Sequence, residues 1–357
     1  AVQSYKEKNF VLAESLCKKI LSIDPNHFDS LVLLSNIFAI SRNFKDAKKL
    51  LTKANEIKPN NLSVLNNLGT AHKELGNSKE SMNFYEKILK INPKHTNANY
   101  NLGILFYGDK KLEKSKFFFK KTVEIQPNYA MAFLSLANVN SELKEYDNAI
   151  SNYRKAIEIN SKLVGAHNNL GLVFRILNDY PNAINCYEKA IKIKPDHAGA
   201  HHNLALALKE LGKFNEAIKS HEMAIKYEPE NLTHFLYLSE LKKDILSTSL
   251  KNKIVKILKN KNTKKINVAY GNYLLSKYEK KANNYEKELE YLIEGHKNFF
   301  DSKKEKFELG IKYCFENVLQ IAAEVTTGKI SSRIDNEIKP IFIIGVPRCG
   351  STLIEKI

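Results

Sequence analysis

Residues 62–93 read LSVLNNLGTAHKELGNSKESMNFYEKILKINP, and this stretch decides the fold. It opens with Leu65 and Leu68, a large residue beside the small Gly69. It turns at Gly76, resumes with the small Ser81 and the aromatic Tyr85, and stops at Pro93. Apolar residues three and four apart on both sides of the turn describe two amphipathic helices. The same pattern recurs at a spacing of 34 residues. Pro25, Pro59, Pro93, Pro127, Pro195 and Pro229 share one grid, and Ser161 fills its gap.

With each proline at position 32, repeats start at Phe28, Leu62, Thr96, Ala130, Val164 and Ala198, after a partial one. Position 7 is always leucine: Leu34, Leu68, Leu102, Leu136, Leu170 and Leu204. Position 8 is always small, from Ser35 through Gly69, Gly103, Ala137 and Gly171 to Ala205. Position 20 is also small, and position 24 carries Tyr85, Phe119, Tyr153 and Tyr187. Small residues facing each other let two helices approach closely, and Gly76 and Gly212 permit a left-handed turn between them. The proline is expected to end the second helix. Each pair leaves an apolar face open, so pairs must stack.

These residues resemble tetratricopeptide repeats over roughly 1–231. The resemblance implies a mainly α fold, an α-solenoid superhelix with the first helix of each pair on its concave side. Position 4, usually Trp in that family, reads Leu31, Leu65, Asn99, Phe133, His167 and His201, and the chain has no Trp. That departure predicts softer packing in each first turn.

Position 6 offers candidate binding residues: Asn67, Asn101, Asn169 and Asn203, with Leu33 and Ser135 in the other repeats. A carboxamide offers donor and acceptor together and so matches a peptide unit. The column is similar to the asparagine ladder of O-linked N-acetylglucosamine transferases. His27, His95 and His197 share position 34, so their recurrence belongs to the repeat. Adjacent His201 and His202 do not share a helix face, and no metal site is expected. The four cysteines have neither metal nor disulfide spacing, and a reducing, cytoplasmic setting is expected.

Beyond Pro229 the grid fades. Residues 232–325 read as amphipathic capping helices, with Gly271 and Gly295 hinting at one degenerate repeat, and 326–339 as a polar linker. Net charge is +17, and twelve lysines between Lys242 and Lys281 face only Asp244 and Glu279. Such an excess suits an anionic partner. Without an aromatic-basic motif, nucleic acid is not expected. No apolar run reaches the ~18 to 20 residues of a membrane span.

The last residues change character. Pro340-Ile-Phe-Ile-Ile-Gly345 has the pattern of a buried strand, and Gly345-x-x-x-x-Gly350-Ser351-Thr352 then leads into a helix start. That order makes a phosphate cradle of backbone amides. The lysine of a nucleotide P-loop is replaced by Ser351, and the nearby cation is Arg348.

This loop resembles the 5′-phosphosulfate loop of sulfotransferases, in particular protein-tyrosine sulfotransferases and bacterial relatives with N-terminal repeats. The resemblance implies the start of an α/β P-loop-like domain at 340–357 that binds 3′-phosphoadenylyl sulfate (PAPS) without a metal. Arg348 would pair with the phosphosulfate, and Cys349, Gly350, Ser351 and Thr352 would wrap the 5′-phosphate. Cys349 stands where the family usually has Ser. The catalytic base would lie beyond Ile357, the fragment itself would be inactive, and the chain reads as truncated at both ends. The implied function is sulfuryl transfer to a protein or peptide acceptor, acidic around its tyrosine, held by the repeats. The competing expectation is an interaction scaffold with no catalytic role. A glycosyltransferase fits less well, because nucleotide-sugar chemistry does not need this loop.

Overall fold

A computed structural model describes residues 1–242 and 245–304. These are helices joined by short turns, with no strand among the described residues. They fall into two compact units, Ala1–Pro195 and the described residues from Asp196 onward. The first unit holds α1 (Val2–Lys6) and α2 (Phe10–Ile23), then a run of helix pairs. The pairs are α3 (Phe28–Ile40) with α4 (Phe44–Ile57), α5 (Leu62–Glu74) with α6 (Ser78–Ile91), and α7 (Thr96–Gly108) with α8 (Leu112–Ile125). After them come α9 (Ala130–Glu142) with α10 (Tyr146–Ile159), and α11 (Val164–Ile176) with α12 (Tyr180–Ile193). The second unit holds α13 (Ala198–Glu210) with α14 (Phe214–Tyr227), then α15 (Leu232–Leu241), α16 (Thr248–Lys259), α17 (Lys265–Lys281) and helical residues 285–304. The strand, loop and helix expected at 340–357 lie outside the described residues.

Each hairpin closes through the small-residue positions that the sequence singles out. A Cβ on Gly69 would stand 2.7 Å from the Tyr85 ring, one on Gly103 2.6 Å from Phe119, and one on Gly171 2.6 Å from Tyr187. The aromatic ring therefore lies directly on the glycine backbone of its partner helix. Ser81 Oγ donates to the Gly69 carbonyl at 2.6 Å, and Ser115 Oγ to that of Gly103 at 2.8 Å. A small side chain at position 20 thus allows the approach, and a serine there also finds a partner for its buried hydroxyl. Position 15 is left-handed in every repeat, at Arg42, Gly76, Lys110, Lys144, Asn178 and Gly212. The turn imposes that conformation even where the residue is not glycine.

Proline does not end the second helix. The helices stop at Ile57, Ile91, Ile125, Ile159 and Ile193, two residues before position 32, and α10 stops at Ile159 although Ser161 replaces the proline. The residue after each helix still donates its amide back into it, as Asn160 does to Ala156 at 2.9 Å. Proline instead occupies the turn that follows, where it stiffens the linker.

The polar residues at position 4 are buried and bonded. Asn99 Nδ2 donates to the carbonyls of Pro93 and His95, both at 3.1 Å, and His167 Nε2 lies 3.0 Å from the Ser161 carbonyl. They tie the first turns of α7 and α11 to the turns before them.

The recurring histidines have a structural task. His27, His95 and His197 are helix N-caps, their Nδ1 atoms accepting from Ser30, Ala98 and Ala200 amides at 3.2, 3.2 and 2.9 Å. Asn61 caps α5 the same way through Oδ1, at 3.1 Å from the Val64 amide. His95→Leu is therefore expected to cost about 1 kcal/mol, and His95→Asn to restore it. Urea melts of the two variants check this, and equal losses would refute the cap.

In the second unit, Leu232, Phe235, Leu250, Ile254, Leu274 and Leu275 form one core. A Cβ on Gly295 would meet the Tyr273 ring at 2.6 Å, and Asn283 is left-handed between α17 and residues 285–304. This hairpin repeats the glycine-on-ring contact of the first unit, with the order of the two residues reversed.

Candidate peptide-holding face

Helices α5, α7 and α11 carry Asn67, Asn101 and Asn169 at the same position of their pairs, α9 between them carries Ser135, and α13 carries Asn203 in the second unit. All four asparagines are half-buried. Asn67 Nδ2 donates to Asn36 Oδ1 at 2.9 Å, and Asn169 Nδ2 to Asn138 Oδ1 at 2.9 Å. Asn168 Nδ2 donates to Asn169 Oδ1 at 3.1 Å, and Tyr153 donates its hydroxyl to Asn138 at 2.7 Å. Asn101 Oδ1 accepts from Lys73 Nζ at 3.3 Å. These amides are thus held from the neighbouring repeat, and each spends part of its bonding capacity on that neighbour. A carboxamide has two donors and two acceptor sites, so further bonds are available.

Asn36 and Asn138, at position 9, were not singled out by the sequence reading. A signal existed: each precedes its position-6 partner by 31 residues, a spacing legible only once the stacking is known. Asn36 and Asn67 line a cleft of about 240 Å³ whose other walls include Ala39, Ile40, Phe44 and Thr70. It combines an apolar lining with two fixed amides.

The second unit gathers three histidines. His234 Nδ1 lies 3.3 Å from His202 Nδ1, and His234 Nε2 3.3 Å from Glu228 Oε2. His221 is fully buried with neither ring nitrogen bonded, its ring 5.3 Å from His202 and 6.2 Å from Tyr237 between centroids. Burial, then the neighbouring His234 and Lys209, push its pKa down to about 4. No group of His, Cys, Asp and Glu suited to a metal ion occurs among the described residues. Cys17 and Cys186 are buried, and burial pushes the Cys186 thiol up to about 11, far from a reactive thiolate. Arg348, Cys349, Gly350, Ser351 and Thr352 lie outside the described residues. No helix among the described residues is long and apolar enough to cross a membrane.

Successive antiparallel helix pairs, three of them in the first unit closed by a glycine against a ring, define a helix-hairpin solenoid. The hairpins over residues 62–129 and 141–231 are tetratricopeptide repeats. Residues 62–95, 96–129 and 198–231 match the family described as tetratricopeptide repeat, and 141–174 and 171–212 match its TPR repeat relative. Among solved structures, PilF of Pseudomonas aeruginosa is similar at 18% identity and TM-score 0.54, over 60% of this chain and 97% of that one. The APC/C hetero-tetramer Cut9–Hcn1 is similar at 12% identity and TM-score 0.55, over 67% of this chain and 48% of that one. YrrB, described as a TPR protein with an unusual peptide-binding site, is 19% identical with TM-score 0.46, over 52% of this chain and 95% of that one. The first two likenesses carry the fold. No curated protein matches the chain.

Proposed function

We propose that this chain is a protein-interaction scaffold that grips an extended peptide by its backbone. The observation that supports it best is the pinning of Asn67 by Asn36 and of Asn169 by Asn138. Side chains ordered before binding lose little entropy on binding, so their remaining donors and acceptors are worth more to a ligand. The test starts from a peptide selected against the chain by display. Replacing Asn67, Asn101 and Asn169 of the first unit together by alanine is expected to weaken its binding by at least about tenfold. Methylating the peptide's backbone nitrogens is expected to weaken binding similarly, whereas exchanging its side chains is not. Affinity that follows side chains alone would overturn the reading.

A second reading rests on the sequence Val346-Pro347-Arg348-Cys349-Gly350-Ser351-Thr352-Leu353, with its strand-like approach. In it the repeats present a peptide acceptor to a PAPS-dependent sulfotransferase domain that begins at 340. The loop amides and Arg348 would hold the 5′-phosphosulfate. Calorimetry on the full-length protein decides between the two. Binding of adenosine 3′,5′-bisphosphate that Arg348→Ala abolishes supports transfer, and no binding by a folded protein removes it.

A further inference from the structure

We infer that the second unit carries a separate docking cleft for an acidic peptide segment, built on the lysine-bearing stripe of α16. Between Lys251 and Lys265 the chain has seven lysines and no acidic residue. Lys251 pairs with Glu279 at 2.8 Å and Lys265 with Asp301 at 2.8 Å. Lys253, Lys256, Lys259, Lys261 and Lys264 have no carboxylate partner among the described residues. Elsewhere some lysines are neutralised by carboxylates of neighbouring helices, as Lys110 is by Glu142 and Lys209 by Glu240.

Three of these five lysines line one cleft. Lys253, Lys256, Ile257 and Asn260 follow helical spacing along one stripe of α16, and that stripe lines a cleft of about 1010 Å³ together with Lys264. The facing wall is the turn at 228–233. It is fixed to α17 by Asn267, which donates to the Glu230 carbonyl at 2.9 Å and accepts from the Leu232 amide at 2.7 Å. Glu228 in that wall is occupied by Asn231 at 2.9 Å and His234 at 3.3 Å, which leaves Glu230 as its unengaged carboxylate. The cleft is therefore preformed, positively biased and partly apolar through Ile257, Ile266 and Pro229. An acidic peptide fits each of those properties: carboxylates for the lysines, a backbone for Asn260 and Thr263, and side-chain stems for the apolar floor. The site shares no residue with the asparagine column and does not depend on it.

The test is fluorescence anisotropy with the full chain and a short labelled peptide of alternating aspartate and leucine. Its asparagine–leucine counterpart and a single-stranded RNA of equal length serve as comparisons. Lys256→Glu with Lys264→Glu is expected to weaken the acidic peptide by at least about tenfold. Lys90→Glu with Lys120→Glu makes the same change of net charge on the first unit and is expected to change binding less than about twofold. Circular dichroism confirms that both variants fold. Equal loss in both, no binding by the parent chain, or tighter binding of the RNA than of the peptide would each overturn the inference.

Discussion

Phe119→Ala is expected to destabilise the first unit by about 3–5 kcal/mol. The ring is 2% exposed and rests on the bare backbone of Gly103, so truncation leaves a cavity that neither helix can close without losing the Ser115 bond. The converse change is also costly. Gly103→Ala puts a methyl group at 2.6 Å from the ring and is expected to cost about 1–3 kcal/mol. The two changes occupy the same space from opposite sides. Their double mutant should therefore lose less than the sum of the single losses, by more than about 0.5 kcal/mol. Denaturant unfolding of the four proteins measures the coupling, and simple additivity would refute the contact. Because each repeat is stabilised by its neighbours, local loss at α7 and α8 should also raise hydrogen exchange in α6 and α9.

His221→Phe is expected to remove a large part of the acid sensitivity of the second unit. His221 occupies the position where other repeats carry Tyr85, Phe119, Tyr153 and Tyr187. It is fully buried, and neither nitrogen is bonded. Its folded pKa is about 4, below the ordinary value of 6.5. The unfolded chain therefore binds the proton first as pH falls. Stability is complete above about pH 6.5, declines from there to about pH 4, and is level below as far as this residue is concerned. Over that window the loss is on the order of 3 kcal/mol. His234, lowered chiefly by burial and raised in part by Glu228, acts in the same direction. Glu228, held down chiefly by its bond to Asn231, adds a loss at still lower pH as its carboxylate protonates. Thermal melts of the parent and His221→Phe between about pH 7 and 4.5 test this. Parallel curves would show that the acid loss lies elsewhere.

The repeat grid determined much of this protein without any coordinates. A period of 34 residues, leucine at position 7 and small residues at positions 8 and 20 permit few packings, because only close-packed helix pairs use all three. The pairing of glycine with an aromatic was present in Gly69 and Tyr85, Gly103 and Phe119, and Gly171 and Tyr187. The asparagine column was legible for the same reason: it rides on the period.

What the sequence left open depends on neighbours distant in the chain. Asn36 and Asn138 acquire meaning only when stacking brings the next repeat's amide within 2.9 Å. The recurrence of His27, His95 and His197 was visible, but their capping depends on backbone geometry that only the fold supplies. Ser161 shows that the helix end is set by the hairpin rather than by proline. His202, His221 and His234 stand at three unrelated grid positions, and the packing of α13, α14 and α15 alone makes them one cluster. The lysine excess was plain in composition, whereas the cleft that concentrates it exists because Asn267 fixes the turn opposite α16. Periodic features are local and repeat in the chain, so sequence determines them; contacts between unlike positions are set by stacking, and only the tertiary structure decides those.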